Sequence, residues 1–371
     1  MPVRYGVIGC GHRMRSLGKL VAQHPEVELA AAWDPDLTAV PRLAQIAGRP
    51  IQAAENWEAV VQADIDWIFV ASPNVFHREQ IEAALAAGKH VFAEKPLATT
   101  TEDCLALAHA VRSGNRILMT GFTLRYSGLY RKVKALLAEG RIGTIISIDA
   151  TENLQAGHGA YIMTNWRRDY ALAGSNVLEK CVHDLDLLNW FTESVPSRVA
   201  AFGGTNLFTP EHADLWERSV RFKDKGQTVA SGLNPFTTEK SIEDNLVAIL
   251  EYQNGMRAQF QLTSSNAIPE RRMYISGTEG NLVLDLVTGK ITLRTLFDQT
   301  YLTWAEAGWA DGHGGGDEVL VRELVEAMVH GTRPSTGIEE GLRSTLVGIA
   351  LDRARREKRV VELDELWREV S

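Results

Sequence analysis

The chain has 371 residues, and its 39 Lys+Arg against 47 Asp+Glu leave a net charge of −8. A length of that order suggests two domains, since single cores stop growing at about 250–300 residues. With 45% hydrophobic and 23% charged residues the composition is globular, which excludes global disorder. The acidic balance argues against a nucleic-acid partner or an anionic-membrane surface. Cys10, Cys104 and Cys181 are odd in number and form no C-x-x-C, so a reducing compartment is expected rather than a disulfide framework. The opening residues run straight into a strand pattern, with no secretory signal expected. Apolar runs such as Ile65–Val70 fall far short of the about 20 residues of a membrane span. The expectation is a cytoplasmic protein.

In chain order, short apolar runs at Arg4–Ile8, Val27–Trp33, Trp67–Val70, His90–Ala93 and Ile117–Thr120 read as buried strands. Helical patterns lie between them, among them Ile81–Ala87 and Thr101–Val111, the latter opened by a Thr100/Thr101 cap. Non-alternating strands separated by helices predict a doubly wound parallel sheet covered on both faces. After Gly121 the rhythm changes. Tyr130–Leu137 reads as a helix, Ile142–Ala150 as a strand and Val177–Phe191 as a second helix. Strand signals follow at Leu246–Tyr252, Met256–Leu262, Met273–Ser276, Leu282–Leu286 and Ile291–Leu296, with Asn254-Gly255 as a hairpin turn. Thr205–Glu243 reads as a long excursion, and Glu318–Val329 and Glu339–Lys358 as helices. The fold class is therefore α/β. Residues 1–122 would form the first domain, and residues 123–371 an α/β domain with a large, mostly antiparallel open sheet.

Gly9-Cys10-Gly11-His12-Arg13-Met14 follows a strand and opens a helix. The first glycine permits a tight turn, the second lets a pyrophosphate approach, and the helix N-terminus supplies free N–H groups beside His12 and Arg13. Met14 stands where the dinucleotide fingerprint has a third small residue. Asp34 ends the second strand, where a carboxylate accepts hydrogen bonds from an adenosine ribose and repels a 2′-phosphate. The other reading is a cap on the next helix. The expected cofactor is NAD.

Ala71-Ser-Pro-Asn-Val-Phe-His77, Ala93-Glu-Lys-Pro96, Gly277-Thr-Glu-Gly280 and the Glu179…His183 segment, with the opening glycines, resemble the Gfo/Idh/MocA oxidoreductase family over essentially the whole chain. The resemblance implies an N-terminal Rossmann domain and a C-terminal domain whose open sheet mediates a homodimer or homotetramer. It further implies an active site between the domains, facing the nicotinamide. Ser72, Pro73, Asn74 and His77 would line the cofactor. Glu94 and Lys95 would sit beside the nicotinamide, with Lys95 on the substrate hydroxyl and a Lys95–Pro96 bond that is often cis in similar proteins. Arg125 and Tyr126 match an arginine and an aromatic near the nicotinamide. The run Gly174–Asp186 looks like the family's second active-site helix, in a subgroup with Lys-x-x-His-Asp/His-x-Asp.

Oxidising a secondary alcohol requires a base for the hydroxyl proton, and histidine's ordinary pKa of about 6.5 suits that work. His183 is the expected base, Lys95 its electrostatic partner, and Lys180, three residues from His183, a substrate or proton-relay contact. Asn153, His158, Tyr161, Trp166, Arg167 and Arg168 cluster in sequence. An indole packs on a sugar face, and an arginine fork grips a carboxylate, phosphate or sulfonate. Trp166 and Arg167 are expected at the cofactor. Asn153, His158, Tyr161, Arg168, Tyr126, Glu179 and His313 are expected at the substrate. A surface loop held by Arg–Asp169 pairs is the plain alternative for the cluster, as a linker is for His313-Gly-Gly-Gly-Asp317. No metal is expected, because hydride transfer requires none.

Three functions follow from these parts. The first is NAD(H)-dependent oxidation or reduction of a secondary hydroxyl on a sugar, polyol or sugar acid. The second is redox-neutral glycoside cleavage by transient C3 oxidation, elimination, hydration and re-reduction, on an anionic glycoside among others. The third is a cofactor-binding sensor, which would be expected to lack reactive groups such as Lys95 and His183.

Overall fold

The computed structural model describes residues 1–223, 233–297, 301–305 and 313–370. The chain divides into two compact units, one of Met1–Tyr126 with Gly316–Thr345 and one of Ser127–Gly315 with Leu346–Ser371.

The first unit is built on β1 (Val3–Ile8), β2 (Val27–Trp33), β3 (Gln52–Ala53), β4 (Trp67–Val70), β5 (His90–Ala93) and β6 (Leu118–Thr120). They form one parallel sheet in the order β3-β2-β1-β4-β5-β6. The chain starts at the centre, winds outward to β3, and returns across β1 to β4. Strand ends on either side of that reversal make the crevice in which open α/β sheets bind ligands. Helix His12–Val21 buries Met14, Leu17, Gly18 and Val21, a spacing that gives one apolar stripe. Each fully buried aliphatic chain of this kind stabilises by about 1.5–3 kcal/mol. Thr100 caps helix Thr101–Arg112 by accepting from Asp103 N at 3.1 Å.

Helix Gly316–His330 also belongs to this unit, burying Leu320, Val321, Leu324, Val325, Ala327 and Met328 in its core with Met14 and Leu17. The segment after it is tied to β6: Thr120 N donates to Thr336 O at 2.8 Å, and the Thr336 hydroxyl donates to Thr120 O at 2.8 Å. Apolar periodicity foretells such a helix but not which sheet it covers.

The second unit carries β7 (Ile145–Gln155), β8 (Pro196–Gly204), β9 (Asn245–Tyr252), β10 (Arg257–Asn266), β11 (Glu270–Gly277), β12 (Gly280–Asp285), β13 (Lys290–Thr295), β14 (Tyr301–Ala305) and β15 (Val361–Glu362). Their order is β14-β13-β12-β11-β7-β10-β9-β8-β15, antiparallel throughout except for β7 beside β10. Asn254-Gly255 makes the expected turn between β9 and β10, with Gly255 at φ 83°. Strand β7 starts three residues later than expected, at Ile145, and runs on to Gln155. Inward positions such as Ile148, Ala150, Phe260, Leu262, Met273 and Ile275 are buried, while Phe202, Val247, Ile249 and Tyr274 on the other face are exposed. The excursion after β8 holds short turns and a buried trio of Phe208, Phe222 and Phe236. Asp244 pins its start by accepting from the N–H groups of Asn206, Leu207 and Phe208. Residues 224–232 of that stretch lie outside the described residues. No helix among the described residues is long and apolar enough to cross a membrane.

Candidate active site

The first unit presents a dinucleotide cradle at the C-terminal ends of its strands. Gly9 has φ 89°, and a side chain there would meet the Ala71 carbonyl at 2.6 Å, so both conformation and space demand glycine. A side chain at Gly11 would meet nothing within 4 Å, which leaves open space in front of the first N–H groups of helix His12–Val21. Met14 is buried in the core at the position of the third small residue. Asp34 is anchored from both sides, accepting from Cys10 N at 2.7 Å and Asp36 N at 2.8 Å. Its carboxylate is thereby fixed beside the glycine turn, where a ribose of NAD would be held. His12 is exposed at the helix start. Open space at Gly11, donors at the helix end and a fixed acid fit NAD.

Two loops complete this side. The buried His77 ring lies between two backbone carbonyls, Nδ1 at 2.7 Å from Pro96 O and Nε2 at 2.9 Å from Ser72 O. Burial holds its pKa below the ordinary histidine value, against the opposing pull of those carbonyls. His77 therefore fastens the Ser72–Asn74 loop to the Glu94–Pro96 loop. Within these loops Ser72 Oγ donates to Gln80, Asn74 is buried, and Pro73 caps the short turn that begins at Asn74. The Lys95–Pro96 bond is cis and Lys95 is partly exposed.

Arg13 is placed differently from a cofactor contact. Its Nε donates to Glu94 Oε1 at 2.8 Å, one terminal nitrogen to Thr123 Oγ1 at 2.7 Å, and the other pairs with Asp317 Oδ1 at 2.7 Å. All three arms of the guanidinium thus hold protein groups. Glu94 is committed to the same clamp, while Arg125 lies partly exposed in the turn Thr123–Tyr126. Tyr126 departs further from expectation. Its hydroxyl sits among Glu323 Oε1 at 2.8 Å, Thr336 Oγ1 at 3.0 Å and Ser335 Oγ at 3.1 Å, so it is structural within this unit and not placed for a substrate. Asp317, Thr123 and Glu323 carry no sequence signal of these roles, because each is a lone polar residue far from its partner along the chain.

The second unit's site is organised by helix Asn176–Thr192, capped by Ser175 and by Glu243 Oε1, which accepts from Val177 N at 2.9 Å. Glu179, Lys180 and His183 fall on adjoining faces of its first turns, as their spacing dictates. The buried Glu179 accepts from Arg167 Nε at 2.7 Å. Arg167 also donates to the Tyr161 hydroxyl at 3.0 Å and lies over the Trp166 ring at 4.4 Å. The His183 ring is 6.0 Å from that of His313. His158 packs edge-on to Tyr161, and burial, followed by Lys180, drives its pKa well below the ordinary value, leaving a neutral imidazole. His158, Tyr161, Trp166, Arg167, Glu179, Lys180, His183 and His313 thus gather around the start of one helix.

Two expected contacts lie elsewhere. Arg168 donates to the carbonyls of Thr164, Asn165 and Glu239 and braces the loop. Asn153 points to the open face of the sheet, bonded to Glu270 and Thr263. A one-residue step along a strand changes faces, so Glu152 is the residue that turns inward toward Lys180, with 3.6 Å from Lys180 Nζ to Glu152 Oε1. Its signal was an acid among the inward-facing apolar positions Ile148, Ala150 and Leu154.

A doubly wound dinucleotide unit followed by an open-sheet unit with a polar helix face defines a two-part nicotinamide-dependent oxidoreductase. Residues 3–122 match the family model described as an oxidoreductase family with an NAD-binding Rossmann fold, and residues 130–283 match the GFO/IDH/MocA C-terminal domain. The chain belongs to the Gfo/Idh/MocA oxidoreductase family, and its cofactor is NAD. It is 27% identical to 1,5-anhydro-D-fructose reductase of Ensifer adhaerens, over 97% of this chain and 98% of that protein. It is 24% identical to 2,7-anhydro-N-acetylneuraminate hydratase of Escherichia coli, over 76% and 68%. The fold matches levoglucosan dehydrogenase complexed with NADH and levoglucosan, with TM-score 0.82 and 20% identity over 98% and 100% of the two chains.

Proposed function

We propose that this chain oxidises or reduces a secondary hydroxyl of an uncharged sugar, polyol or anhydro sugar. When bound, NAD supplies the hydride acceptor or donor. Lys95 stabilises the developing alkoxide oxygen with its ammonium charge, His183 takes the hydroxyl proton, and Lys180 donates a hydrogen bond to the same or the neighbouring hydroxyl. Tyr161, Trp166 and His158 form the aromatic wall for the sugar ring.

The observation that carries the uncharged substrate is the Arg167–Glu179 pair. An arginine whose Nε already pairs with a buried carboxylate, and one of whose terminal nitrogens donates to the Tyr161 hydroxyl, is poorly placed to grip an anionic sugar. The names of the anhydro-sugar reductase and of levoglucosan dehydrogenase support the carbohydrate class. The test is NADH formation across matched panels of polyols, anhydro sugars and aldonates. Turnover confined to the aldonates, or none on any panel member, would sink this reading.

The hydratase relative favours one alternative, redox-neutral cleavage of a glycoside or anhydro bond with NAD recycled. Release of p-nitrophenol from a glycoside with no NADH build-up selects it. A second copy of this chain is the proposed partner, docked on the open sheet face through Phe202, Val247, Ile249 and Tyr274, all exposed. Three free, buried cysteines accord with the proposed cytoplasmic location.

A further inference from the structure

Among the described inward positions of the second sheet, the charged Glu152 on β7 stands directly opposite the charged Arg271 on β11, both buried. Arg271 forks onto Asp184, with Nε to Oδ1 at 2.8 Å and one terminal nitrogen to Oδ2 at 2.6 Å. That bidentate pair already balances one charge with one charge. Glu152 adds a second carboxylate, with Oε2 at 2.5 Å from Arg271 Nε. Its other oxygen, Oε1, faces Lys180 Nζ, whose side chain is 15% exposed where Glu152 is 1% exposed. Two cations and two carboxylates close the count. Glu152 thus bridges a fully buried guanidinium to an ammonium that reaches the site. Such bridging is costly in an apolar interior, since a hydrophobic residue of similar volume commonly serves stability as well.

We propose that Glu152 is the positioning residue for Lys180, its carboxylate holding the ammonium in register with His183 from beneath the site. The inference rests on the reading of Lys180 as a substrate-hydroxyl contact. Burial is the main force pushing the Glu152 carboxyl up to about 7, opposed by Arg271 and Lys180 and aided by Asp184. The hold is therefore strongest when the carboxyl is ionised, and it weakens as pH falls below neutrality. The charged and titratable groups around the bridge are Lys180, Cys181 and Asp184 on the helix, Arg271 on β11, Tyr130 on helix Gly128–Ala138, Asp285 on β12 and His158 on helix Ala156–Ile162.

The experiment compares full-length wild type, Glu152→Gln, Glu152→Asp, Lys180→Met and the double variant Glu152→Gln/Lys180→Met. Competitive acetylation read by mass spectrometry follows Lys180 against the exposed Lys19 and requires no turnover. Glu152→Gln is expected to raise relative Lys180 labelling at pH 7 by about threefold or more, since a carboxylate facing the amine is gone. With a turned-over sugar, kcat/KM falls about 10- to 100-fold from misplacement of one polar group. The affinity for NAD stays unchanged and the acid limb of the pH profile moves. In the Lys180→Met background the same change costs less than about twofold. Glu152→Asp keeps the charge against Arg271 but withdraws it by one methylene from Lys180, so it decides the matter if Glu152→Gln does not fold. Unchanged labelling in the folded variant, or an equal loss with and without Lys180, overturns the proposal. A wild type silent on every sugar but with the expected labelling change upholds the positioning role and overturns the proposed substrate class instead.

Discussion

Arg167 Nε donates to Glu179 Oε1 at 2.7 Å, and the arginine's outer face rests on Trp166. One side of the candidate site is therefore a flat cation whose charge is spent internally. Arg167→Ala takes its paired cation from the buried Glu179, a change that costs about 3–5 kcal/mol in fully buried pairs and less at this partly exposed one. The expected outcome is a lowered unfolding temperature together with a loss of kcat/KM on neutral sugars. Steady-state kinetics on a polyol and on its aldonate check the specificity claim, with the polyol ahead by tenfold or so.

Asp34 bears on cofactor choice. Replacing it by Ala would remove the proposed ribose acceptor and a charge that would repel a 2′-phosphate. Fluorescence titration should show NAD affinity falling by about tenfold, the scale of one charge-assisted hydrogen bond, while NADP affinity holds or rises. A fall shared equally by both nucleotides would point to damage of the glycine turn through Cys10.

Arg13 and Tyr126 separate architecture from chemistry. Arg13→Gln removes the positive charge shared by Glu94 and Asp317, both largely buried, and should cost about 2–4 kcal/mol in urea unfolding. Tyr126→Phe removes the hydroxyl held by Glu323, Thr336 and Ser335 and should cost about 1 kcal/mol. Its kcat/KM per folded molecule should change less than about threefold, far below the loss expected for a group that touches substrate. A larger loss would return the tyrosine to the substrate.

Glu152 makes stability depend on pH in a definite direction. Its folded value of about 7 lies above the ordinary 4.5, so the folded state binds more protons than the unfolded chain between those values. Stability from this group is complete below about pH 4.5 and is lost as pH rises toward 7, by about 3 kcal/mol in all. Urea unfolding across that window should therefore show a flatter slope in Glu152→Gln than in wild type. Identical slopes would remove Glu152 as the source.

The open face of the second sheet predicts assembly. Val247→Asp with Ile249→Asp places two charges on neighbouring exposed positions of β9. Light scattering should give the mass of one chain for this variant and a multiple for wild type. Kinetics should be compared at matched protomer concentration.

The doubly wound unit was legible because buried parallel strands read as unbroken apolar runs, and the glycine turn at Gly9 is demanded by one backbone approach. The cradle with Asp34, the helix carrying Glu179, Lys180 and His183, and the Asn254-Gly255 turn follow from spacing within short stretches. Local periodicity speaks only of neighbours in the chain. Clustering of polar residues in sequence gave Asn153 in place of Glu152, because the strand read as ending at Ala150 runs on to Gln155 and turns Glu152 to the inner face. The glycine-turn motif put Arg13 beside a phosphate site and the family resemblance put Tyr126 beside a substrate, while their partners Asp317 and Glu323 lie about 200 or more residues away along the chain. Residue types and their local order settled the family and the cofactor. Folding alone decided which charges cancel one another, since that depends on which distant side chains share the same low-dielectric space.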